Sequence, residues 1–243
     1  MTKLDQLVER IHALPEAART ALALGCAQRL MNHHLSLPPA QRDPFTEALA
    51  PDLTLLWEAL SVPSPKADAA LRKLLKKHSS EPYADQIGRN GWPRGDDHPF
   101  AAAMYALKAY CLSDAKFGVG SAMRLIDAAS DMAGSISEGL GEDLMSPRAK
   151  LRRQEATRPE TNRVTAAIGL MGREGTTAGS LKKLRKIFEG GELGQFRGRN
   201  GEETGQPELS DFSPRRKAPP RQTRPTQANC RRLRSWKKRV SLN

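Results

Sequence analysis

The sequence predicts an all-α protein: a compact antiparallel bundle of about six helices over residues 1–157, then a basic, low-complexity, largely disordered tail over 158–243. Three observations carry this. Apolar residues recur at three- and four-residue spacing through the first part, and no alternating run of convincing length offers a strand. The breaks between periodic segments hold Pro, Gly, Ser and Asp, which start and stop helices. The charge is also divided: Lys and Arg against Asp and Glu give about −3 over 1–146 and about +15 over 147–243, together the +12 of the whole chain. Core-forming sequence and polyanion-binding charge therefore lie in different stretches.

The first helix is predicted from Leu4, Leu7, Val8, Ile11 and Leu14, with Thr2 as its cap. Pro15 suits the first turn of a second helix that reaches about His33, with Leu22, Cys26, Leu30 and Met31 on one face. So short a connection predicts a helical hairpin. A third helix, Phe45 to Leu60, carries Leu49, Leu53, Leu56 and Trp57; Pro51 inside it predicts a kink or a split. Ser64 caps a fourth, with Leu71, Leu74 and Leu75 inward. The stretch from Ser79 to Gly95 reads as a loop. Asp97, two residues before Pro99, starts an Ala-rich fifth helix with Phe100, Met104, Leu107 and Cys111 on one face. Ser113 is the expected cap of a sixth, in which Gly118 and Gly120 each cost about 1 kcal/mol relative to Ala. Gly139 and Gly141 close it. A last piece spans Arg148 to about Ala156; beyond it Val164–Met171 and Leu181–Phe188 read as short helical pieces.

Hydrophobic residues are 38% and aromatics 5% of the chain, and the deficit falls mostly after residue 157. The Arg, Gly, Pro and Gln mixture after Gly190 has too little apolar area to offset chain entropy. Cys26, Cys111 and Cys230 fit no zinc or redox spacing and, being odd in number, no disulfide framework. No signal-peptide pattern opens the chain and no apolar run nears the ~20 residues of a membrane span. The expectation is a soluble, cytoplasmic protein without membrane contact.

Three stretches carry a family resemblance: LVERIHALPEAARTALALGCAQRLM (Leu7–Met31), LLWEAL (Leu55–Leu60) and AAAMYALKAYCLSDAKFGVGSAMRLIDAASD (Ala101–Asp131). Their order resembles a bacterial all-helical family of unknown function related to toxin-immunity-type domains. PRAKLRRQE (Pro147–Glu155) resembles the start of that family's closing helix. The resemblance covers about residues 4–155 and implies a non-enzymatic domain that binds a toxin or effector. The sequence departs from the pattern near Ala156, where TRPETNRV and Arg-rich sequence follow. A shifted reading frame or a fusion is one reading of that departure.

Catalytic and metal motifs are sparse. His12, His33, His34, His78 and His98 form no His-Glu-x-x-His pair and combine with no Cys at zinc-ligand spacing. Neither Gly-x-Gly follows a strand, and neither a phosphate loop nor a Gly-x-Ser-x-Gly elbow occurs. No cofactor or metal is expected. Three functional readings result. The leading one is a protein-interaction domain with Trp92, Asp96, Asp97, Asp127 and Asp131 as its candidate contact residues. The second is nucleic-acid binding through the tail: Arg215, Arg216 and Lys217, then Arg231, Arg232, Arg234, Lys237, Lys238 and Arg239, which neutralise phosphates, with Trp236 to stack on a base. The third is an enzyme whose catalytic groups, such as Glu58, Asp97, His98 and Asp127, converge from distant positions.

Overall fold

The computed structural model describes residues 2–80, 97–190 and 193. They form nine α-helices and one 3₁₀ turn, with no strand among the described residues. The helices are α1 (Lys3–His12), α2 (Glu16–Ser36), α3 (Pro44–Glu47), α4 (Ala50–Ser61), α5 (Pro65–His78), α6 (His98–Leu112), α7 (Ala115–Gly139), α8 (Pro147–Glu174) and α9 (Ala178–Phe188). The all-α bundle is as the sequence predicts.

The central element is α2. Ala18, Ala21, Leu22, Ala23, Leu24, Cys26, Ala27, Leu30 and Met31 are all buried, so its sides serve several neighbours rather than one. It packs on α4, α6, α7, α8 and α9. Small residues permit the close approach. The Ser121 hydroxyl of α7 donates to the Ala23 carbonyl at 2.8 Å. A Cβ on Gly120 would sit 3.0 Å from the Tyr105 ring. That glycine lowers helix propensity and in exchange lets α6 and α7 meet.

Local signals explain most boundaries. Thr2 closes a capping box with Asp5. Asp43, Ser64, Asp97, Asp114 and Ser146 each accept a backbone N–H at the start of α3, α5, α6, α7 and α8. The predicted Phe45–Leu60 helix is two helices; the chain turns at Ala48 and Leu49, and Pro51 lies in the first turn of α4. Ser113 is not the cap of α7. It ends α6 in a left-handed conformation (φ 58°), and Asp114 does the capping. Between α4 and α5, buried His78 Nε2 meets Asp52 Oδ2 at 2.6 Å.

The largest departure concerns the C-terminal boundary. The helical unit does not stop at residue 157. Helix α8 runs unbroken through Pro159 to Glu174, and α9 packs on α8 and α2. These helices all belong to one compact unit, Met1–Arg197. Val164, Ile168, Met171, Leu181, Leu184 and Phe188 are buried in the same core as Leu22 and Leu107. Proline in a helix interior costs about 3 kcal/mol, so burial of the turns after Pro159 must outweigh that. The residues read as a frame break are therefore integral to the fold. At their centre, Glu160 is 1% exposed and Arg29 of α2 is 4% exposed. Arg29 donates from Nε to Oε2 and from Nη2 to Oε1, both at 2.5 Å. Arg29 and Arg163 each also donate to the Gly190 carbonyl, at 3.0 and 3.1 Å, and Arg163 reaches the Ile187 carbonyl at 2.7 Å. The two guanidinium groups thus satisfy carbonyls at the end of α9 that no helical N–H reaches.

Candidate functional site

Two of the five predicted contact residues, Asp97 and Asp131, meet at the N-terminal end of α6. Asp97 accepts the Phe100 N–H at 3.1 Å. Asp43 caps α3 by accepting the Thr46 N–H at 2.7 Å and the Thr46 hydroxyl at 2.8 Å. The same hydroxyl lies 3.4 Å from Asp97 Oδ2, so two helix caps share one threonine. His34 Nε2 faces the Asp43 carbonyl at 3.3 Å. Next along the chain, His98 places Nε2 2.9 Å from Asp131 Oδ2 on α7. The Asp131 side chain remains 69% exposed. Asp127 lies one turn earlier on α7 and is also exposed. The outcome is an acidic end in which Asp43 and Asp97 are anchored while Asp127 and Asp131 face solvent.

Burial raises the Asp97 pKa above the ordinary carboxylate range; the Phe100 N–H opposes this and the Asp43 charge adds to it. A folded-state pKa above the unfolded one means that Asp97 supports folding at low pH, and that this support is lost as pH rises through its folded value. Asn caps helices about as well as Asp does. Asp97→Asn should therefore gain stability relative to the parent chain as pH rises from the ordinary Asp value through the raised folded value of Asp97. Urea midpoints across that window test it; a pH-independent difference would contradict the assignment.

A second region lies over Trp57. The Trp57 indole N–H donates to Gln28 Oε1 at 3.2 Å, and the Arg185 guanidinium of α9 stacks over its ring at 4.6 Å. Depressions of about 350 Å³ and 290 Å³ flank this pair. Glu58 and Ser64 help line the first; Asn32, Thr54 and Phe188 help line the second. Glu58 thus belongs to this region, while Asp97, His98 and Asp131 belong to the α6 end. Sequence reasoning missed the Trp57–Arg185 stack because its partners lie on opposite sides of the expected domain boundary.

The two described thiols are buried. Burial pushes the Cys26 thiol far up, aided by the Glu160 charge, and pushes Cys111 up to about 11. Neither is a thiolate at neutral pH, so both serve as small core residues. Among the described residues no group of three His, Cys, Asp or Glu side chains could hold a metal ion, and no helix is long and apolar enough to cross a membrane. Trp92 and Asp96 lie outside the described residues, as do all the tail residues singled out above: Arg215, Arg216, Lys217, Arg231, Arg232, Arg234, Trp236, Lys237, Lys238 and Arg239. Comparison with family models, curated proteins and solved structures finds no match to this chain.

Proposed function

We propose that the helical unit is a non-enzymatic protein-interaction domain, of the toxin-immunity kind that the family resemblance implies, and that it docks a basic partner surface on its acidic end. One observation supports this most: exposed Asp131 is held by His98, the residue next to Asp97, which with Asp43 is fixed by helix caps, and Asp127 is exposed one turn away on α7. Anchored charge costs little entropy on binding, and complementary potentials raise association rates. Co-expression with products of neighbouring genes, followed by capture on the full chain, tests the reading. A defined partner should be captured and should be lost with Asp127→Lys/Asp131→Lys. Equal capture by the charge-reversed chain would refute the acidic end as the docking surface.

The sequence favours a second reading, nucleic-acid binding through the tail, because residues 197–243 hold thirteen Lys and Arg against four Asp and Glu. Neutralising the cluster from Arg231 to Arg239 should then weaken binding of an RNA strand and flatten its salt dependence. Unchanged binding would remove that reading.

A further inference from the structure

The four exposed positions between Ser180 and Ile187 are Lys182, Lys183, Arg185 and Lys186, so the outer face of this part of α9 is cationic. The inner face, Leu181, Leu184 and Phe188, is buried and is sufficient to hold the helix in place. No acidic residue occurs between Ala178 and Phe188 to offset the cations within the helix. Lys182 and Lys186 are four apart, and like charges at that spacing destabilise a helix. Lys182 makes none of the contacts that Lys183 and Arg185 make, and it lies before the last turn, where Arg185 and Lys186 suit the helix dipole. Lys183 pairs with Glu174 at 2.8 Å, while Arg185 is fixed by its stack on Trp57. The result is a short row of cations on a packed helix, presented with little loss of backbone freedom.

From these observations we infer that the outer face of α9 is a nucleic-acid contact surface, gripping the phosphate backbone without reading sequence. Lys182 and Lys186 are about 6 Å apart along the helix axis at 1.5 Å per residue. Phosphates follow one another at about 3.4 Å per strand along a duplex, so the row spans about two of them. After a segment, 189–214, with six Asp and Glu against two Arg, the chain carries eleven Lys and Arg and no Asp or Glu over 215–243. Cations on the packed helix and again in that later stretch would suit a polyanion long enough to reach past the acidic segment between them. This inference is independent of the acidic-end reading and extends the tail reading to a folded surface.

The test uses the full chain and a labelled single-stranded oligouridylate of about 20 nucleotides, with binding measured by anisotropy over a salt series. Lys182→Gln/Lys183→Gln/Lys186→Gln should weaken binding at least roughly tenfold and lower the magnitude of the salt slope by about 1.4, at about 0.7 for each of the two phosphates no longer neutralised. Replacing the same three lysines with Arg should leave binding close to that of the parent chain, which separates charge from folding. The tail is intact in both variants, so an effect of the Gln set cannot come from loss of the tail clusters. Parent-like affinity and slope for the Gln variant would overturn the inference. So would polyglutamate competing as well as unlabelled oligouridylate, since the surface would then fit an acidic protein.

Discussion

Glu160→Gln is expected to destabilise the protein by about 3–5 kcal/mol, because it leaves the Arg29 guanidinium buried with no opposing charge. The pair is deep, at 1% and 4% exposure, and bidentate. Removing one partner of such a pair costs more than the pair itself contributes, since desolvation of the survivor is no longer compensated. The loss should extend to α9, because Arg163 and Arg29 hold the Ile187 carbonyl in its last turn and the Gly190 carbonyl just beyond it. Replacing both charges, as in Arg29→Met/Glu160→Leu, should recover a large part of the stability, because apolar side chains of similar volume often substitute well for buried ion pairs. Urea unfolding of the three chains measures this. A loss below about 1 kcal/mol for Glu160→Gln would show that the charge is solvated in solution.

Much of the helical order was legible in the sequence because it rests on local chemistry. Thr2, Ser64 and Asp97 are caps that a short window reveals, and the Leu, Ala and Met stripes of α2 and α6 are strongly periodic. Ser113 misled because Ser and Asp stand side by side at the junction, and only the backbone decides which one caps. The C-terminal boundary was misread for a different reason. Pro159 and the polar residues around it lower local helix propensity, and charged Glu160 resembles a surface residue until Arg29, 131 positions earlier, is placed beside it. Long-range pairing of this kind leaves no local trace. For the candidate site, acidic Asp97, Asp127 and Asp131 could be chosen from sequence; the Thr46 bridge from Asp43 to Asp97 and the His98–Asp131 contact could not. The cations of α9 were visible as residues, but not as one face of a packed helix.

The central claim is that α8 and α9 belong to the same cooperative core as the first seven helices. Cutting the chain after residue 157 removes Val164, Ile168, Met171, Leu181, Leu184 and Phe188 from that core. At about 1.5–3 kcal/mol for each fully buried large side chain, the loss is on the order of 10 kcal/mol. That is comparable to the total stability of an ordinary domain, about 5–15 kcal/mol. It would also strand Arg29, and it would uncover Gly25, where a Cβ would lie 2.4 Å from the Phe188 ring. The direct measurement is thermal unfolding of residues 1–157 beside residues 1–197, followed by circular dichroism. The account predicts one sharp transition for the longer chain and none for the shorter. A sharp transition of similar midpoint in both would contradict it.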